Sequence, residues 1–230
     1  MKLLGFETYR DYVAAQTRVN KQKLGSIWAS HRELRAVARY VRKHIPHASF
    51  GLCHGVRNGY EVETLRRLLG IEVLGTEISH TADLYPHVIQ WDFHEIKPEW
   101  VESTDFIYSN SWDHSFDPAL AIDRWMRCLR PEGRLFLSWT AWHAEGKAGD
   151  ADCFGASLDE LLELVERNHE VETVLALRDF LVPARNWPHN LWVMISRALR
   201  GARFHLVVAR KGARSRPSSG SGSASTAAPS

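Results

Sequence analysis

An α/β fold with a doubly wound, mostly parallel sheet is predicted by three features: five short apolar runs between Ser49 and Asp152, helical stretches alternating with them, and several runs apolar on both faces. Such alternation implies βαβ units, and strands apolar on both faces belong to a sheet covered by helices on each side. Ahead of the sheet, helical periodicity over Tyr9–Gln22 and His31–Lys43 predicts two helices. Leu34, Val37, Ala38 and Val41 share one face of the second, which Pro46 ends. Ser49–Cys53, Ile71–Glu77, His87–Trp91, Thr104–Ser109 and Gly133–Thr140 read as strands, with Gly59–Leu69 and Pro118–Leu129 as intervening helices. Asp117, directly before Pro118, has the form of a helix N-cap. A helix (Ser157–Arg167), a strand (Val171–Phe180), a Trp- and Pro-bearing segment (Pro183–Arg200) and a last strand (Arg203–Arg210) follow. The two late strands lack a simple crossover, so they are expected as an antiparallel C-terminal pair at the sheet edge, completing seven strands.

The chain divides into an N-terminal helical segment (1–46), the α/β domain (47–210) and a tail (211–230). From Pro217 onward the tail has no apolar residue larger than alanine, cannot offset the entropy of ordering, and is expected to be disordered. With 230 residues, 44% hydrophobic and 24% charged, the rest suits one globular domain and excludes a fibrous protein. No apolar run approaches the ~18 residues that span a bilayer, and the start lacks a leader pattern, so a cytoplasmic protein with no membrane association is expected. Cys53, Cys128 and Cys153 are odd in number and form no CxxC pair, which argues against a disulfide framework and against zinc. Setting aside Lys211, Arg214 and Arg216 of the tail leaves 26 basic against 27 acidic residues, without the positive excess that selects nucleic acid.

Ligands of an open α/β sheet sit beyond the carboxyl ends of its strands. After the first strand comes Gly55-Val56-Arg57-Asn58-Gly59-Tyr60-Glu61, whose glycines permit positive φ and whose following helix offers free N–H groups. The second strand ends at Glu77-Ile78, a carboxylate suited to both hydroxyls of a ribose or, alternatively, to a helix N-terminus. Glu77 follows Gly59 by 18 residues, near the ~20 of adenosine-cofactor sites. A pyrophosphate turn asks for G-x-G-x-x-G, whereas this turn is G-x-x-x-G with Arg57 and Asn58 inside it. That favours S-adenosylmethionine, which has no phosphate and whose amino acid end needs polar groups such as Arg57, Asn58 and Glu61.

These segments, with Gln90-Trp91-Asp92-Phe93, Asp105–Ser111 and Leu129–Leu135, resemble the class I S-adenosylmethionine-dependent methyltransferases over Ser49–Arg210, a Rossmann-like family. The resemblance implies that Gly55 and Gly59 line the methionine end, Glu77 binds ribose, Asp92 and Phe93 hold adenine, and Ser109 and Asn110 lie under the sulfonium. Two departures stand out. The usual acidic residue beside the first glycine is missing where Gly51, Leu52 and Cys53 stand, and Arg57 stands where many members have a glycine.

On the acceptor side, Asp113 and His114 leave the fourth strand and offer an acid–imidazole pair for general-base work or, alternatively, a loop-stabilising hydrogen bond. His143 follows the fifth strand as a further candidate, and Trp112, Trp139, Trp142 and Trp187 are candidate pocket walls. No His spacing of HxxxH or HExxH type occurs, so no metal is expected. The expected activity is methyl transfer to a small-molecule or sugar-like acceptor, at oxygen. A nicotinamide-dependent oxidoreductase and a non-catalytic cofactor-binding module are the alternatives.

Overall fold

The computed structural model describes residues 2–3, 6–140, 153–178 and 203–212. His143, Trp142, Trp187, the Pro183–Arg200 segment and the chain from 213 onward lie outside the described residues. Helices α1 (Tyr9–Gln22) and α2 (His31–His44) come first, capped by Thr8 and Ser30, whose hydroxyls accept from Asp11 and Glu33 N–H. Seven strands follow in chain order: β1 (Phe50–His54), β2 (Glu72–Glu77), β3 (Val88–Gln90), β4 (Thr104–Ser109), β5 (Leu129–Thr140), β6 (His169–Arg178) and β7 (Arg203–Lys211). Helices α3 (Tyr60–Leu69), α4 (Pro118–Cys128) and α5 (Leu158–Glu166) lie between them. Asp117 does cap α4, its Oδ1 accepting from Leu120 N–H at 3.0 Å.

The strands form one sheet in the order β3-β2-β1-β4-β5-β7-β6. The first five are parallel, and β7 runs antiparallel to both β5 and β6. The strand order reverses between β1 and β4, which places a crevice at their carboxyl ends. Lys2–Leu3 also pairs antiparallel with Phe154–Gly155.

Successive side chains leave opposite faces of a strand, and both faces here are covered. Leu52, Ile107, Leu135, Leu137 and Val207 pack with Trp125 and Ile122 of α4 and Leu161 of α5. Cys53, Phe106, Tyr108, Phe136, Leu206 and Val208 pack on the other side with Val37 and Val41 of α2 and Leu65 of α3. This two-sided burial is why the strands read as continuous apolar runs. The three cysteines are free and buried.

Most boundaries shift by one or two residues from the sequence reading, and the largest difference is at β5. β5 begins at Leu129 rather than Gly133, because Leu129 pairs with Thr104 before a register shift and the ladder resumes at Arg134 opposite Phe106. Pro131 and Gly133 mark an irregularity inside the strand rather than its start. Trp112, expected as a pocket wall, is a core residue: it is 1% exposed and its indole N–H donates to Ser138 carbonyl at 2.7 Å.

Candidate active site

Beyond β1 the chain turns at Gly55, with φ of 73°. A Cβ there would meet Ser111 Cβ at 2.6 Å, so nothing larger than glycine fits between this turn and the loop leaving β4. Gly55 and Val56 N–H donate to the Thr76 carbonyl at 2.9 and 3.2 Å, which fixes the turn against the end of β2. Arg57 holds φ of 45°, the left-handed region that residues with a Cβ rarely adopt. Its N–H donates to Glu77 Oε2 and Ser79 N–H donates to Glu77 Oε1, each at 3.0 Å. One buried carboxylate thereby ties the β1 turn to the β2 turn. Burial raises the Glu77 carboxyl above its ordinary range, opposed by the Ser79 N–H and the Arg57 charge.

Asp92 follows β3. Its Oδ1 accepts from His94 N–H at 2.9 Å and from His94 Nδ1 at 2.8 Å, and its Oδ2 accepts from the Tyr9 hydroxyl of α1. Phe116 N–H donates to His94 Nε2 at 3.1 Å, so Nε2 is an acceptor and the ring proton sits on Nδ1, facing Asp92. Burial opposes ionisation of Asp92, but the donors from His94 and Tyr9 outweigh it and hold the carboxyl below its usual range.

Gly55, Arg57, Glu77, Ile78, Asp92, Phe93 and His114 line one hollow across these strand ends. Ser111 and four residues of α1 (Tyr12, Gln16, Val19 and Asn20) complete it. α1 therefore roofs the hollow, latched by Tyr9 on Asp92 and by Asn20 Oδ1, which accepts from Arg57 Nε at 3.0 Å. The hollow and its open mouth together span about 500 Å³ of unfilled space. Sequence reasoning missed the α1 residues, although Tyr12, Gln16 and Asn20 share one helix face and are 1%, 8% and 6% exposed.

The other sequence candidates have different surroundings. The Asn58 amide donates to the carbonyls of Leu24 and Ser26 at 3.0 and 3.1 Å, anchoring the loop between α1 and α2. Gly59, at φ of 70°, starts α3 and borders a separate recess with Tyr60 and Tyr85. Ser109 Oγ donates to the His54 carbonyl. Asp113 is buried, with its charge acting on Arg57. Asn110 Nδ2 donates to Glu61 Oε1 at 3.2 Å behind the turn, and Glu61 Oε2 is buried without a partner. Among the described residues no cluster of His, Cys, Asp and Glu is arranged to hold a metal, and no helix is long and apolar enough to cross a membrane.

Glu61 has a measurable consequence. Burial pushes its carboxyl up to about 7, against the charge of Arg57 and the Asn110 donor. The unfolded chain releases this proton at its ordinary pKa and the folded chain retains it, so stability is full at acid pH and declines as pH rises to about 7. Glu61→Gln, which resembles the protonated acid, is expected to raise unfolding free energy by roughly 3 kcal/mol at pH 8 and by under ~1 kcal/mol at pH 5. Urea denaturation at both pH values checks this; an equal effect at each would contradict it.

Residues 52–137 match the family described as methyltransferase domain. No curated protein matches the chain. Among solved structures, the Burkholderia thailandensis 1,6-didemethyltoxoflavin-N1-methyltransferase, with bound 1,6-didemethyltoxoflavin and S-adenosylhomocysteine, is similar at a TM-score of 0.66 and 16% identity. The match covers 91% of this chain and 93% of that one. The geranyl diphosphate C-methyltransferase of Streptomyces coelicolor, in complex with Mg2+, geranyl diphosphate and S-adenosyl-L-homocysteine, is similar at 0.61 and 14% identity, covering 91% and 100%. The [4+2]-cyclase SpnF has the same fold at 0.58 and 16% identity, covering 87% and 92%. The match thus takes in the turns after the first four strands and their side of the hollow, and the fold around it is that of these solved methyltransferases.

Proposed function

We propose that the hollow binds S-adenosylmethionine and that the chain transfers its methyl group to an oxygen of a small-molecule or sugar-like acceptor. The observation that carries this reading is the convergence of Glu77, Asp92 and Arg57, from three separate loop tips, on one hollow. The wall charges suit the cofactor: two carboxylates against one guanidinium complement a molecule with a sulfonium, an ammonium and one carboxylate. They oppose the pyrophosphate of a nicotinamide dinucleotide. Glu77 takes the ribose hydroxyls, Asp92 accepts from the adenine amine, Phe93 and Ile78 flank the base, and α1 excludes water.

When bound, the cofactor supplies an electrophilic methyl group on sulfur, which leaves the protein to position a nucleophile and manage its proton. His114, in the wall beside Ser111, receives the proton of the acceptor hydroxyl as the oxygen–methyl bond forms. Asp113 acts beside Arg57, not as a free base. The two methyltransferases of like fold have small-molecule substrates, which supports a small acceptor here. The near-balanced charge of the folded part speaks against nucleic acid.

Calorimetric titration with S-adenosylhomocysteine and with NAD tests the cofactor, and only the first is expected to bind. His114→Ala is expected to slow methyl transfer about 100-fold while cofactor affinity stays within about twofold. Equal turnover by the two proteins would reject His114 as the base. Cofactor binding without any methyl transfer would assign a non-catalytic module.

A further inference from the structure

The glycine turn after β1 has two sides. Gly55 and Arg57 border the hollow, whereas Asn58 and Gly59 border the separate recess with Tyr60, Glu63 and Tyr85. Among the described residues the two linings share none. The recess originates in the crossover from β2 to β3. Parallel strands are usually joined by a dozen or more residues that include an α-helix laid on the sheet. Here residues 78–87 make the connection, with only the 3₁₀ turn His80–Leu84 in place of that helix. The space beside the first turn of α3 stays open as a result. The crossover returns onto the glycine turn through Tyr85, whose Cβ lies 3.5 Å from where a Cβ on Gly59 would stand. The recess and its mouth together span about 870 Å³ of unfilled space, more than the hollow.

The chemistry of these walls suits a cation. Tyr60 and Tyr85 are half-buried and Glu63 is exposed. Among the described residues the Glu63 carboxylate has no ion pair and no hydrogen bond, although Arg67 follows it by one turn of α3. The Tyr85 ring and hydroxyl are likewise unclaimed. A carboxylate beside aromatic rings attracts an ammonium through its charge and through the negative faces of the rings. Ile27 and Pro86 add apolar wall, which calls for an apolar body on the same ligand. An anion is disfavoured. The start of α3 would attract one, but Asn58 Oδ1 already accepts from Tyr60 N–H at 3.3 Å, and the Glu63 charge opposes it.

We propose that this recess is a second ligand site, distinct from the hollow, for a small organic ammonium with a flat apolar body. The body lies against Tyr60 and Tyr85, and the ammonium pairs with Glu63. The occupant rests on Asn58 and Gly59, so it bears on the segment that also carries Arg57. That segment is fixed by Arg57 N–H on Glu77 and by the Asn58 amide on the carbonyls of Leu24 and Ser26. The site stands whatever the hollow binds.

The experiment is titration of the full chain with phenethylammonium, followed in amide proton–nitrogen NMR spectra, with 2-phenylethanol as a neutral probe of similar shape. Phenethylammonium is expected to bind with a Kd on the order of 1 mM. It is expected to move the amides of Asn58, Gly59, Glu63 and Tyr85 and to leave those of Asp92 and Phe93 in place. The charged probe is expected to bind about tenfold more tightly than the alcohol. Glu63→Gln, at an exposed position, is expected to reduce that preference to below about threefold while binding of the alcohol is unchanged. Tyr85→Ala, checked for folding by thermal melting, is expected to weaken both probes by about fivefold or more. An unshifted set of recess amides at about 10 mM phenethylammonium overturns the proposal. So does a response confined to Asp92 and Phe93, which would place the amine in the hollow. An unchanged preference in Glu63→Gln overturns it as well.

Discussion

With Glu77 in the proposed ribose role, Glu77→Ala is expected to weaken S-adenosylhomocysteine binding about 100-fold, through loss of two hydrogen bonds at ~1.5 kcal/mol each. The residue also accepts from Arg57 and Ser79 N–H, so its removal orphans two backbone donors and loosens the turn that presents Arg57. Glu77→Gln retains one acceptor and the shape of the site, and is expected to lose about tenfold. Isothermal titration of the three proteins measures this. Affinity of Glu77→Ala within about threefold of wild type would remove Glu77 from the ribose site.

The largest effect on stability is expected at Trp125, which packs against Phe93 in the wall of the hollow. The ring is 0% exposed, stacks on His54 with centroids 4.9 Å apart, and meets the edge of Phe93 at 5.4 Å. Its indole N–H donates to the Phe93 carbonyl at 2.8 Å, which fixes the backbone next to Asp92. Trp125→Ala is expected to cost about 4 to 5 kcal/mol, from cavity formation together with the lost hydrogen bond. Trp125→Phe keeps much of the packing, removes the donor, and is expected to cost about 2 kcal/mol. Urea denaturation reads both; a loss under ~2 kcal/mol for the alanine variant would show that the site collapses without a cavity. Because domains are stable by only about 5 to 15 kcal/mol, the alanine variant is expected to bind cofactor poorly as well.

The β1 turn and the ends of β2 and β3 were legible in the sequence because their signals are local. Glycines that permit positive φ, and carboxylates that end apolar runs, sit within a few residues of the atoms they position. The two-sided strands were legible for a similar reason, since burial by helices on both faces leaves uninterrupted apolar runs such as Phe106-Ile107-Tyr108. The roof was not legible, because Tyr12, Gln16 and Asn20 present a polar face at four-residue spacing that a search for apolar periodicity passes over. Buried amides on one helix face were the signal available. His94 was missed because its role depends on tertiary contacts: it lies two residues beyond Asp92, yet it is held by Ser115 and Phe116 from the loop after β4. Glu61 reads as a turn residue from sequence, but the first turn of α3 directs it behind the glycine turn to Asn110.

The most direct test is a crystal structure of the protein with S-adenosylhomocysteine. The expected result is the ribose hydroxyls on Glu77 and the adenine amine at Asp92 beside Phe93, both beneath α1. A ligand seated elsewhere, or lying in this hollow with its ribose away from Glu77, would contradict it.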